Sequence, residues 1–479
     1  MLFNSIEFAL FLPLVFFLYW LAAIKGSRWQ NLVLIVANYF FYGWWDWRFL
    51  FLIAFSSLVD YLVGLALANS QKPRKRKLLL ATSVCVNVGF LGFFKYFNFF
   101  ADNFYSAFTF FGSPISDPIF LNLVLPVGIS FYTFQTISYS IDIYRRKIEP
   151  TRDILAFFTF VSFFPQLVAG PIERATNLLP QFFVKREFNY THAVDGLRQI
   201  LWGLFKKIVI ADGCARYVNL IFSDYQDYSG STLLLGAILF AFQIYGDFSG
   251  YSDIAIGSAR LFGVNLRRNF AFPYFSRSIP EFWRRWHISL SSWFRDYVYL
   301  PLGGSRVDIW RSVRNIFIVF ALSGFWHGAN WTFIVWGLLN AVYMLPYILL
   351  AQNKDTTSIA AAGRLLPTFK ESIQILNTFL LVCIAWVFFR AESVSQAIEY
   401  IGIIFSASLF SSPEVDISRI LYFILFLVVI EWIQREKQHG LQIGDTVLPA
   451  AARWLSYYVL IISIAWYGGK PQEFIYFQF

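Results

Sequence analysis

Apolar stretches long enough to cross a bilayer recur along this chain from Ile6 to Trp466, and that recurrence most constrains what it can fold into. A hydrocarbon core about 30 Å thick supplies no hydrogen-bond partner, so each crossing must satisfy its backbone groups within itself, as a helix does. About eleven such helices are expected. Charged residues make up only 14% of the chain, against about 25% in soluble proteins, and no segment is left over for a sizeable soluble domain. The expected fold is an all-α polytopic membrane protein with one membrane-embedded domain over 1–479. Within it, 1–150 holds N-terminal spans, 151–350 a core with re-entrant segments, and 351–479 C-terminal spans.

The net charge of +10 does not point to nucleic acid, because Lys and Arg fall between apolar segments rather than along one polar face. Lys25 and Arg28 follow the first span, the run Lys72 to Lys77 follows the third, and Arg145-Arg146-Lys147 follow the fifth. The loop 101–120 holds Asp102 and Asp117 and no basic residue. The positive-inside rule then makes loops one, three and five cytoplasmic and the N-terminus extracytoplasmic. The first 23 residues lack a basic n-region and a small-residue cleavage site, so they read as a retained span. Cys85, Cys214 and Cys383 are isolated, and neither a disulfide framework nor a metal site is indicated.

Spans are expected near 6–24, 31–47, 49–68, 78–100 and 121–143. The last contains Pro126 and Gly128, a break that needs protein or a wet cavity around it, so this segment should face the interior. The segment 154–172 is too interrupted for a simple span and reads as re-entrant. From Tyr190 to Gly263 apolar helical segments alternate with polar insertions, including Lys206-Lys207 and the run Tyr245 to Asp253. Between 270 and 312 arginines interleave with Trp283, Trp286, Trp293 and Tyr297, as at a membrane-water interface. A continuous span over 314–350 would be too long, so a break is expected at Gly328-Ala329-Asn330. Three more spans follow near 373–389, 418–434 and 451–467.

The break lies beside His327. If Arg314 marks an interface, thirteen helical steps carry His327 ~20 Å into the membrane. Ionisable groups at that depth are costly and mark function by default. A neutral imidazole there can take a proton from an alcohol attacking an acyl group and pass it to a leaving thiolate. Trp326 and Trp331 are placed to wall such a site, and Asn330 to orient the ring or donate to an oxyanion. A neutral histidine bonding between helices is the other reading of His327, and position alone does not separate the two. His287 sits among interface-type residues, where a structural role serves equally well. Gly246-Asp247-Phe248-Ser249-Gly250 fails the Gly-x-Ser-x-Gly pattern, leaving Ser249 a weak nucleophile candidate. Asp247 and Asp253 are expected to cap broken helices or pair with arginine. No nucleotide-binding loop occurs, so the energy must arrive in an activated substrate or a gradient.

Four segments together resemble the membrane-bound O-acyltransferase family: Leu125 to Gln135, Phe164 to Ile172, Phe282 to Leu290 and Ser323 to Gly328. Phe388 to Glu392 and the closing Phe474 to Phe479 are similar to the bacterial alginate O-acetylase subfamily. The resemblance spans essentially the whole chain. It implies a ring of transmembrane helices around a central tunnel, with His327 as catalytic histidine and His287 as a second one. Ser323, Trp326 and Asn330, close to His327 in the chain, are expected to contact substrate, and the resemblance puts Arg284 and Arg285 where donor phosphates could bind. Headgroup anchorage is the equal alternative for those arginines.

The resemblance further implies an enzyme of the bacterial inner membrane with no tightly bound cofactor. It would take acetyl from a cytoplasmic thioester, acetyl-CoA or an acyl carrier, and pass it through a periplasmic esterase-like partner of the SGNH type to a polysaccharide such as alginate. D-alanyl transfer to teichoic acid is the alternative within the family. A secondary transporter is the alternative outside it, though corresponding broken segments in two halves are missing.

Overall fold

A computed structural model describes every residue except 113–114, 116–118, 169, 351–357, 444–448, 468–471, 473 and 476–479. Asp117 and the closing Tyr476 to Phe479 therefore lie outside the described residues. The described residues form helices and loops in two compact units. The first unit, Met1–Asn189 with Ala259–Leu266, carries α1 (Ile6–Ala23), α2 (Ser27–Gly43), α3 (Phe49–Ala68), α4 (Pro73–Leu91), α5 (Phe97–Phe110), α6 (Ile129–Tyr144), α7 (Ile154–Ser162), α8 (Phe164–Leu167) and α9 (Ala175–Leu178). The second, Tyr190–Ser258 with Arg267–Phe479, carries α10 (Tyr190–Leu204), α11 (Asp212–Ser223), α12 (Gly230–Leu261, ending in the first unit), α13 (Ile279–Arg285), α14 (Ile288–Phe294), α15 (Ile309–His327), α16 (Trp331–Leu349), α17 (Phe369–Arg390), α18 (Val394–Ile404), α19 (Ser418–Ile433) and α20 (Ala450–Tyr467).

Six helical stretches among the described residues are long and apolar enough to span a membrane. The expected count of about eleven is not reached by this measure: α2, α6 and α19 have only 16 or 17 residues, and α15 and α20, with 19 and 18, are not among the six. Two spans differ in shape from expectation. The fourth runs on through a π-helical turn at Gly92–Tyr96 into α5, giving 38 continuous residues, so the expected loop at 101–120 begins only after Phe110. The fifth is no span from 121: residues 119–128 are irregular and α6 starts at Ile129. Gly128 has φ +76°, and a Cβ there would stand 2.5 Å from the Leu167 carbonyl oxygen, so this break is covered by protein and α6 is buried along most of its length. The interrupted segment after 154 is the pair of short helices α7 and α8.

Polar side chains fasten the first unit from within. Asp60 on α3 is fully buried and accepts hydrogen bonds from Ser83 Oγ, from Asn87 Nδ2 at 2.8 Å and from Ser140 Oγ at 3.0 Å. Asn87 Oδ1 in turn accepts from Ser56 and Thr136. One acid thus ties α3, α4 and α6 together, the use to which polar groups inside apolar helices are commonly put.

In the second unit, α12 is a continuous helix of 32 residues. The run Tyr245 to Asp253, expected as a polar insertion between segments, lies inside it. Gly246 and Gly250 form a small-residue face: a Cβ on either would come within 2.8 Å of the carbonyl of Lys206 or Gly203. That is helix packing through glycines rather than a nucleophile elbow.

The hairpin of α15 and α16 is closer still. A Cβ on Gly337 would stand 2.2 Å from the Phe320 carbonyl oxygen, and one on Gly324 2.2 Å from that of Phe333. Gly337→Val should therefore lower the thermal midpoint of the purified protein by the equivalent of about 1–3 kcal/mol of overpacking. Gly402→Ala on α18, whose Cβ would meet nothing within 4 Å, should leave it unchanged or slightly raised. Equal midpoints for the two variants would show that the hairpin contact is not close.

Candidate active site

His327 is the last residue of α15, and the chain breaks over 328–330 before α16 begins, where the sequence called for a break. Gly328 is extended there, and a Cβ on it would collide with the Phe333 ring at 2.1 Å. The imidazole is 3% exposed. Its ring centroid lies 4.9 Å from Trp326, 5.0 Å from Trp336 and 5.4 Å from Phe389, each edge-on. Trp336 stacks on Trp386, completing an aromatic wall from α15, α16 and α17.

Two expectations about this wall change. Trp331 is 54% exposed, whereas Trp336 and Trp386 are buried and form the wall. Asn330 does not turn its amide to the ring: Oδ1 accepts from Thr332 N as the cap of α16, and Nδ2 donates to the Glu392 carbonyl. Ser323 lies one turn before His327 on α15 and is buried.

His287 joins α13 to α14 in the left-handed region, with φ 44° and ψ 55°. Such a conformation is uncommon for a residue with a Cβ and persists where its surroundings hold it. Phe248 and Trp326 pack against the ring at 4.6 and 6.1 Å. Trp326 thus touches both histidines.

The polar contacts of His287 fix its tautomer. Asn269 is fully buried, and its Nδ2 donates to Ser252 Oγ while its Oδ1 accepts from the backbone N–H and hydroxyl of Ser289. These contacts settle which amide atom faces the histidine: Oδ1, 3.1 Å from His287 Nδ1. A carbonyl oxygen only accepts, so Nδ1 carries the proton and Nε2 holds a lone pair. That Nε2 is buried and has no hydrogen-bond partner among the described residues. Burial pushes the pKa down to about 3, which keeps the ring neutral and its Nε2 a hydrogen-bond acceptor.

The two arginines beside His287 part ways. Arg285 forms a two-pronged pair with the buried Glu281, at 3.0 and 2.8 Å, and also reaches the Ser358 carbonyl. Arg277 holds the other oxygen of Glu281. Arg284 is exposed and is the one available to an anion.

Behind His287 lies a charge cluster that pattern reading missed. Lys206 and Lys207 sit in the π-helical segment Phe205–Ala211 between α10 and α11. Lys206 Nζ pairs with Asp253 at 2.6 Å, and Lys207 Nζ pairs with Asp212 and Asp247, both at 2.7 Å. The acids of α12 therefore meet lysines, neither capping helix ends nor pairing with arginine. Asp247 also accepts from the backbone N–H of Ile475, which docks Phe474 against Tyr251. Ser249 donates to the Tyr245 carbonyl and accepts from Lys206, leaving no nucleophile there. His439 is also buried, with Nε2 3.1 Å from Asp195.

The signal available in sequence was the adjacency of two lysines in an apolar stretch, since buried charges require partners. Which partners on α12 they would find, 40 or more residues away, was not.

Comparison with known proteins bears on this arrangement. The model of the membrane-bound O-acyltransferase family matches residues 146–365, which include both histidines. The chain is 42% identical to the probable alginate O-acetylase of Pseudomonas putida over 414 residues, covering 85% of this chain and 80% of that protein. It is 39% identical to the probable alginate O-acetylase of Pseudomonas aeruginosa, covering 94% and 80%. Its identity to the peptidoglycan O-acetyltransferase of Helicobacter pylori is 37%, covering 83% and 79%. An all-helical membrane protein with this match along its length belongs to the membrane-bound O-acyltransferase family, within its alginate O-acetylase-like group, and is an acyltransferase.

Proposed function

We propose that this acyltransferase moves an acetyl group from a cytoplasmic thioester, acetyl-CoA, across the inner membrane for O-acetylation of an extracytoplasmic polysaccharide. His327 is the general base. The attacking alcohol gives its proton to the imidazole as its oxygen bonds to the acyl carbon. The carbon–sulfur bond then breaks, and the imidazolium returns the proton to the thiolate. The Nε2 lone pair of His287 holds and orients the hydroxyl. Arg284 meets phosphate of the donor, and a periplasmic esterase-like partner hands the acetyl to the polymer.

The observation that carries this reading is the pair of buried imidazoles sharing Trp326, one of them fixed in its tautomer with an open lone pair. An aromatic enclosure excludes water, which would otherwise hydrolyse the thioester. Acetyl rather than D-alanyl is favoured by relatives named O-acetylases at 37–42% identity. Their names include both alginate and peptidoglycan, so the polymer is left to experiment.

Proteoliposomes loaded with labelled acetyl-CoA and supplied with the periplasmic partner test the base directly. His327→Ala should slow label transfer at least about 100-fold at unchanged protein level, the usual yield of a positioned base. A rate within twofold of wild type would overturn the assignment.

Asn269 is a positioning residue in this scheme. Asn269→Leu should cut kcat by about 10-fold or more by releasing the His287 tautomer, as second-sphere losses do in other sites. Asn269→Asp places a carboxylate against Nδ1–H and stabilises imidazolium, so the pKa rises from its depressed value and the acid limb of the pH–rate profile moves to higher pH. If both variants lose activity equally at every pH, Asn269 holds the fold alone.

A further inference from the structure

The geometry points to an anionic phospholipid site in the first unit, in a cleft of about 400 Å³ between the C-terminal ends of α3 and α6 and the start of α4. Arg76 forms its floor. This buried guanidinium donates through Nη1 to the carbonyls of Leu67 and Ser70, and through Nη2 to those of Ile143 and Tyr144 at 3.2 and 2.8 Å. The last turns of two helices would otherwise present unpaired carbonyls and negative dipole ends to the cleft. With Arg76 capping both, the floor turns cationic.

Two more guanidiniums line the walls. Arg146 is held by one hydrogen bond, to Gln71 Oε1 at 2.8 Å. The Arg152 side chain is exposed, and no hydrogen bond or ion pair engages it among the described residues. Glu149 is the one acid among the lining residues, so the balance favours an anion. The cleft joins the basic runs after the third and fifth spans, and the bonds from Arg76 to Ile143 and Tyr144 place those two loops on one face, as their alternation predicted. Basic pockets between helix ends on the anionic cytoplasmic leaflet are suited to lipid headgroups.

The occupant is a lipid rather than a soluble phosphate because the cleft continues into a lipid-facing surface. Leu58 and Leu62 on α3 are 41% and 53% exposed, and with Leu65 of the lining they form one helical stripe at i, i+4 and i+7. The apolar stretch through α4 and α5 is largely left uncovered by the protein. A phosphodiester between Arg146 and Arg152 can thus leave its acyl chain along the Leu58–Leu62 stripe.

Native mass spectrometry of the full-length protein in detergent, titrated with phosphatidylglycerol and phosphatidylcholine of identical chains, tests the site. Wild type should prefer phosphatidylglycerol. A cation beside an anionic headgroup contributes about fivefold, so Arg146→Gln combined with Arg152→Gln should weaken that lipid on the order of 20-fold and leave phosphatidylcholine unchanged. Both side chains are exposed, and an unchanged thermal midpoint verifies the fold. Glu149→Gln should strengthen phosphatidylglycerol binding. Equal binding of both lipids by wild type, or a preference that survives the double substitution, would overturn the proposal. So would micromolar binding of inorganic pyrophosphate that excludes the lipid, which would give the cleft to a soluble phosphate.

Discussion

A hydrocarbon solvent leaves every broken helix with backbone groups that only protein or water can satisfy, and the placement of breaks in this chain follows from that constraint. The break at 328–330 is possible because α15 and α16 touch backbone to backbone through Gly324 and Gly337, with aromatic rings closing over the turn. The same contact puts His327 on the final helical residue, inside protein rather than against lipid. The break before α6 obeys the same rule, with Gly128 against the Leu167 carbonyl. Breaks and buried chemistry coincide because both need the same cover.

Helical class, the turn beside His327 and the interior placement of α6 were legible in the chain, since each follows from local properties: apolar length, and Pro or Gly within it. What was not legible depended on partners distant in sequence. The run Tyr245 to Asp253 looked like an interruption because its acids have no local neutraliser, yet α12 passes through unbroken with Lys206 and Lys207 supplying the charge. The wall around His327 was half legible. Trp326 precedes the break and was placed correctly, but helical phase restarts at Asn330, turning Trp331 outward and Trp336 inward.

Asn269 shows a subtler limit. Nothing in its neighbourhood marks it, yet its amide receives Ser289 and His287 on one oxygen and spends its nitrogen on Ser252. Three hydrogen bonds to the Asn269 amide decide which nitrogen of a buried imidazole holds the lone pair. Control over that lone pair is chemistry the protein's own residues supply. The family match fixes acyl transfer as the activity; in the proposed scheme the two rings around Trp326 divide the work.

The central claim is that His327 is the base in the acyl transfer that leads to acetylation of an envelope polymer. The ester-linked acetyl content of envelope polysaccharides tests it most directly, measured in cells lacking this protein and complemented with wild type or His327→Ala at matched membrane level. The account predicts acetyl restored by wild type and at the deletion level with the variant, polymer yield being equal in both, and the polymer that loses acetyl identifies the acceptor. Full restoration by His327→Ala would contradict it.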